Sequence, residues 1–206
     1  FNVIYLSPND RSLIRKASDA SVLLIPAVGP KISNDIFSKT SLKMVQVTGA
    51  GIDRLDQDFC ARNNIKVCNV LGASAKSVAE YCIFAALTIS RRLSKTTDEI
   101  LSGNYKELRG NIIQDRMFSL SGLTLGVIGF GSIGQETAKM FSALGCQIQY
   151  YDPSDPKVSE NLSQIAVKNG KEELLRTSDI ISIHVPLIDQ TKNLISMQEF
   201  SLMKKT

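Results

Sequence analysis

Short runs of Val, Ile and Leu alternate along the first third of the chain with polar stretches whose apolar residues recur at helical spacing. The runs at 2–6, 21–26, 43–48 and 65–69 are nearly continuous, as in parallel strands buried on both faces. Helix-compatible stretches at 10–16, 33–37 and 55–62 separate them. This alternation predicts a parallel sheet with right-handed crossovers. An apolar helix follows over 78–91, opened by Ser77 and Glu80 as a capping box in which each side chain satisfies a backbone N–H. A helix over 95–101 ends at Gly103, and 103–114, with two glycines and no periodicity, reads as a connection between domains.

A second array begins with a strand at 123–129, a helix at 133–144 stopped by Gly145, and a strand at 147–151. A short helix at 171–176, a third strand at 179–185 and a helix opened by a Ser196/Glu199 capping box complete it. The pattern gives two domains, 1–92 and 93–206. In a doubly wound sheet ordered 3-2-1-4-5-6 the first strand is paired on both sides. With three strands visible, 123–129 is expected to carry an open apolar edge prone to pairing with another chain.

Composition narrows the classes. The chain has 206 residues, 43% of them hydrophobic and 21% charged, the balance of an ordinary globular protein. The longest apolar stretch, 81–89, is too short to span a bilayer. Four dispersed cysteines and one histidine offer no zinc spacing, and the cysteine usage suits a reducing, cytoplasmic setting. The net charge is +4, its excess carried by residues 1–91 with 11 Lys+Arg against 7 Asp+Glu. No basic run could track a nucleic-acid backbone. A bound small anion and scattered solvated lysines account for the excess equally well.

The chemistry concentrates after the strand at 123–129. Gly129, Gly131 and Gly134 form a G-x-G-x-x-G between that strand and the following helix. The first glycine permits the turn, the second lets backbone approach a pyrophosphate, and the third lets helix pack on strand. The N–H groups of Ser132 and Ile133 are candidate phosphate donors at the positive helix end. Asp152 stands 23 positions after Gly129, where a carboxylate accepts hydrogen bonds from ribose hydroxyls and repels a 2′-phosphate. Pro153 follows it and no arginine adjoins it, so NAD is expected rather than NADP.

With these residues in place the chain resembles the D-isomer-specific 2-hydroxyacid dehydrogenases, phosphoglycerate dehydrogenase-like and NAD-dependent. Four segments carry the resemblance: LKMVQVTGAGIDRLD at 42–56, NVLGASAKSVAEYCIFAAL at 69–87, GLTLGVIGFGSIGQETAKMFSALGCQIQYYDP at 122–153, and DIISIHVPLIDQTKNLI at 179–195. It implies an α/β architecture, with a flavodoxin-like parallel-sheet substrate domain followed by a partial Rossmann NAD-binding domain. It implies that Ala50 and Gly51 offer amides to the substrate carboxylate, in keeping with an anion-binding nest after a strand. Val78 would touch the nicotinamide, and His184, Val185 and Pro186 would line the adenosine side. Glu80 is explained by capping rather than base catalysis, and His184 by packing rather than proton transfer.

The family's catalytic arginine, glutamate and histidine have no counterpart here and are expected beyond Thr206, so these residues alone are expected to be inactive. A homodimer is expected of the complete protein. The substrate is left open: phosphoglycerate-specific members resemble R-S-x-T where this chain has Ala27-Val-Gly-Pro30. Arg54, beside the carboxylate loop, could supply a cation to the substrate, but reads rather as a solvent-facing side chain. Two alternatives stand beside the oxidoreductase: an NAD-sensing, co-repressor-like binding protein of the same fold, and a methyltransferase with a similar glycine loop.

Overall fold

A computed structural model describes residues 2–7, 10, 12–114 and 119–205, which divide into two compact units between Ala73 and Ser74. In the first, strands β1 (Val22–Ile25), β2 (Met44–Val47) and β3 (Lys66–Cys68) pair in parallel in that order. Helix α1 (Leu13–Lys16) precedes β1, and α2 (Asn34–Ser38) and α3 (Gln57–Arg62) connect the strands. Ser33 caps α2 by accepting from the Asp35 N–H, and Asp56 caps α3 by accepting from the Phe59 N–H. Val45 and Val47 are sealed in a core with Ile25, Phe37, Leu42 and Cys60.

The strand expected over 2–6 is absent: residues 2–7 take no regular structure, and Val3, Ile4 and Tyr5 are exposed. Among the described residues no strand pairs with this run, so its backbone groups gain no ladder hydrogen bonds. The helix expected over 10–16 includes Arg11, which lies outside the described residues; α1 forms only from Leu13.

In the second unit β4 (Thr124–Ile128), β5 (Gln147–Tyr151), β6 (Ala166–Lys168) and β7 (Ile180–Ile183) form a parallel sheet ordered β6-β5-β4-β7. This corrects the expectation of three strands and an open edge at 123–129. The triplet Ala166–Lys168 is a third strand, so Ile180–Ile183 is the fourth and closes the other side of β4. Leu125, Val127 and Ile128 are accordingly fully buried.

Helix α4 (Ala75–Ser90) belongs to this unit, which moves the boundary well before the expected 92/93. Its Cys82, Ile83 and Ala86 pack against the β4–β5 core. The helix starts earlier than expected, after Ser74, and no side chain caps it. Ser77 and Glu80 therefore lie inside the helix and form no capping box; buried Ala75 and Ala79 hold the first turn instead. Helix α5 (Leu93–Leu101) follows. The expected connection at 103–114 is largely helix, α6 (Tyr105–Gln114), in which Leu108 is buried and Gly110 is tolerated.

Helices α7 (Ser132–Ala143), α8 (Glu160–Ser163), α9 (Lys171–Thr177) and α10 (Met197–Leu202) complete the unit. Gly145 ends α7 in the left-handed conformation, and α10 carries the expected Ser196/Glu199 capping box. Among the described residues no helix is long and apolar enough to cross a membrane, and no cluster of His, Cys, Asp or Glu could hold a metal.

Candidate dinucleotide and anion sites

The chain leaves β4 into a turn at Gly129, whose φ of +88° suits glycine. A side chain there would also meet the His184 carbonyl and the Val185 methyl, so β7's exit lies directly against the turn. Gly134 faces inward: a Cβ would collide with the Gly129 carbonyl and press on Val127. Gly131 differs, because a Cβ there would meet open space. The three glycines thus divide into turn, open approach and close packing, the division a pyrophosphate-binding loop requires.

Gly131 caps α7 with extended backbone and no side-chain bond. Among the described residues the N–H groups of Ser132 and Ile133 have no protein acceptor, which leaves them with the helix dipole to face an anion. The intervening Phe130 is fully buried and stacks on Tyr150 of β5, ring centroids 3.8 Å apart. Gln135 holds the loop from the helix side, donating to the Phe130 carbonyl at 2.9 Å.

Asp152 sits at the carboxyl end of β5, half-buried. Its Oδ2 accepts from the Phe130 N–H at 2.7 Å, and its Oδ1 from the Ser154 N–H at 2.8 Å and hydroxyl at 2.6 Å. Burial alone would raise its pKa, but the bonds from Ser154 and Phe130 prevail and hold it below the ordinary carboxylate value. It is an anion at neutral pH, oriented by the same loop that would hold the pyrophosphate.

His184 follows β7 and donates its backbone N–H to the Ile128 carbonyl at 2.7 Å. Its ring turns to Ser182, Nε2 lying 2.8 Å from the hydroxyl, which in turn reaches Cys82 Sγ of α4 at 3.7 Å. Burial depresses its pKa. Val185 is half-buried beside Gly129, while Pro186 is exposed. Val78 lies half-buried in the first turns of α4. These residues belong to the second unit, with the glycine loop and Asp152.

Ala50 and Gly51 belong to the first unit, in the loop after β2. Asn69, from the loop after β3, donates its side-chain amide to the Ala50 carbonyl at 2.7 Å, and Val70 N–H donates to the Gly49 carbonyl at 3.0 Å. In a trans peptide the N–H opposes the carbonyl, so this grip turns the Gly51 N–H away from Asn69. Among the described residues neither the Ala50 nor the Gly51 N–H has a protein acceptor. A small anion would satisfy both.

Arg54 reverses the expectation of a solvent-facing side chain: it is 4% exposed. Its guanidinium donates to the carbonyls of Pro30 (Nε, 2.8 Å), Pro26 (Nη1, 2.5 Å) and Val28 (Nη1, 3.2 Å). The loop after β1 wraps around the cation, and Gly29 lies so close that a Cβ would touch the guanidinium carbon. The planar fork of donors matches a ring of carbonyls, which makes burial tolerable without a carboxylate. Nothing in the local sequence signals this, because the partners lie 24 to 28 positions away.

The profile of the family described as "D-isomer specific 2-hydroxyacid dehydrogenase, NAD binding domain" matches residues 83–206. The chain is 34% identical over 194 residues to a D-3-phosphoglycerate dehydrogenase of Methanocaldococcus jannaschii, covering 94% of this chain and 36% of that one. It is 33% identical over 194 residues to a hydroxypyruvate reductase of Thermotoga maritima, covering 93% of this chain and 60% of that one. It superposes on D-lactate dehydrogenase of Aquifex aeolicus, solved with NAD and lactic acid, with a TM-score of 0.80 at 31% identity, over 93% of this chain and 56% of that one. The chain therefore spans between 36% and 60% of the length of these two curated relatives. By this match over residues 83–206 and these identities, the chain belongs to the D-isomer-specific 2-hydroxyacid dehydrogenase family and carries its NAD-binding domain.

Proposed function

We propose that the protein containing these residues is an NAD-dependent oxidoreductase acting on the CH–OH group of small D-2-hydroxy acids and the matching 2-keto acids. The observation that supports this is the hydrogen bond by which the turn of the G-x-G-x-x-G loop holds an ionised Asp152 at the end of the next strand, in a chain of this family. Bound NAD supplies a hydride acceptor. The chain's own residues bind and orient: Gly131, Ser132 and Ile133 hold the pyrophosphate, and Asp152 holds the ribose. Gly129 fixes the turn, and Gly134 the helix behind it. His184, Val185 and Pro186 line the adenosine side, and Val78 meets the nicotinamide.

In this reading the first unit is the substrate domain, and the amides of Ala50 and Gly51 bind the substrate carboxylate. Proton transfer belongs to groups outside residues 1–206. His184 is neutral and turned toward Ser182, which argues against it as the acid. A homodimer is supported by the outer face of α4, where Tyr81, Phe84 and Ile89 are exposed. A cytoplasmic setting agrees with four free thiols. The relatives named above are enzymes, which favours the oxidoreductase over the co-repressor-like reading.

The test is reduction of glyoxylate, pyruvate and hydroxypyruvate by the full-length protein with NADH. Stereospecific formation of at least one D-2-hydroxy acid is expected. NAD binding without reduction of any of the three would return the co-repressor-like reading.

A further inference from the structure

Beside Asp152 lies a cation that the glycine motif does not account for. In the β5–β6 register Lys168 is the partner of Tyr150, two residues before Asp152, so both side chains issue from the carboxyl ends of adjacent parallel strands. The backbone under Lys168 is fixed. The next residue, Asn169, donates its N–H to the Tyr150 carbonyl at 2.9 Å and its side-chain amide to Gln149 Oε1 at 2.5 Å. Gln149, 5% exposed, is anchored in turn to the hydroxyls of Thr177 (2.7 Å) and Ser178 (2.9 Å) of α9 and its C-cap. A clamped strand end thus presents a flexible ammonium beside the ribose acid.

The ammonium is not left alone. Nζ lies 2.6 Å from Oδ1 of Asp155, which holds a left-handed φ of 51° in the turn after Asp152. That conformation is uncommon for a side chain other than glycine, and aspartate is among the residues that tolerate it. The pair is open to solvent, with side chains 44% and 85% exposed. Exposed pairs of this kind are weak and exchange partners readily. Lys168 also acts at a distance on Asp152, contributing to the lowering of that carboxyl's pKa.

We infer that Lys168 is a specificity-determining residue, the cation that sets how firmly the ribose site rejects a 2′-phosphate, with Asp155 as the carboxylate that keeps it occupied. The inference rests on the NAD reading of the site. A 2′-phosphate carries close to two negative charges and would meet Asp152 first, which repels it. Lys168 is the group placed to offset that repulsion, and Asp155 competes for it. Two carboxylates against one ammonium leave the balance with NAD. Removing the carboxylates in turn shifts the balance toward the phosphorylated cofactor, through Lys168.

The experiment is a mutant cycle in the full-length protein, with dissociation constants for NAD and NADP measured by calorimetry. Asp152→Ser is expected to tighten NADP about tenfold, and Asp155→Asn to add roughly threefold. Lys168→Met in the Asp152→Ser background is expected to lose about three- to tenfold of NADP affinity, more than it loses for NAD, and Lys168→Arg to restore it. The gain should fade with added salt. Equal NADP affinity for Asp152→Ser with and without Lys168→Met, while the unaltered protein binds NAD, would overturn this inference alone. If Asp152→Ser does not fold, the NADP-to-NAD ratio of Lys168→Met alone decides, and an unchanged ratio overturns it. No NAD binding by the unaltered protein would overturn the site reading as well.

Discussion

The backbone N–H of Phe130 donates to Oδ2 of Asp152 at 2.7 Å, joining the glycine loop to the carboxylate at the end of the next strand. The Phe130 ring is stacked on Tyr150, two residues before that acid. Loop and carboxylate are thus held as one unit by a charge-assisted hydrogen bond and a buried aromatic pair. Replacing Asp152 with alanine removes the ribose acceptor and frees the loop together. NAD binding is expected to weaken by about 2–4 kcal/mol, with discrimination against NADP relieved. Calorimetry with both cofactors checks it, and unchanged NAD affinity would refute it.

Gly131 and Gly134 are expected to fail differently when changed to alanine. At Gly131 the added methyl meets open space, so the fold should hold within about 0.5 kcal/mol while NAD binding falls. At Gly134 the methyl strikes the Gly129 carbonyl, and forcing the helix from the strand should cost about 1–3 kcal/mol of stability. Thermal unfolding and NAD titration of the two variants separate the roles. Equal loss of stability in both would contradict the division.

Arg54→Met should destabilise the first unit. The carbonyls of Pro26, Val28 and Pro30 lose their donor, and the β1 loop loses the group it encloses. The expected cost is about 2–4 kcal/mol, since each bond to a charged donor is worth more than a neutral one. Hydrogen exchange should quicken in 22–32 and 44–55 and stay unchanged in β4. No change in stability would mean that the guanidinium's bonds are replaced by water at no cost.

His184 should titrate below its ordinary value of 6.5, because burial penalises the charged ring. A histidine whose folded pKa is lowered must be neutral to stay buried. Its contribution to stability is whole above pH 6.5 and is lost as pH falls from there toward the folded pKa. As the chain's one histidine it gives a single imidazole signal for NMR titration. A midpoint at or above 6.5 would contradict the burial.

The elements that could be read from the sequence were those with strong local signals. Val, Ile and Leu runs located β1, β2, β4 and β7, and the Ser196/Glu199 box located α10. What was missed had a nonlocal cause. Ala166–Lys168 is three residues long with one apolar pair, and becomes a strand only because β5 offers its edge. Tyr105–Gln114 contains Gly110 and a weak apolar pattern, and is settled by burying Leu108. The run at 2–6 had the composition of a strand, but among the described residues no strand pairs with it. As candidates for the site, the glycines and Asp152 could be picked out because the G-x-G-x-x-G spacing and the acid after the next strand are sequence-local signals. The carbonyl cage of Arg54 and the Asp155–Lys168 pair join distant segments, so only the fold discloses them.

If the loop at 129–134 and Asp152 form one NAD site, as proposed, they should respond to NAD together. The most direct measurement is an amide NMR titration of the 206-residue chain with NAD and, separately, NADP. NAD is expected to give saturable shifts at Gly131, Ser132, Ile133 and Asp152, and NADP a much weaker response. Absence of shifts at these amides, or equal response to the two cofactors, would contradict it.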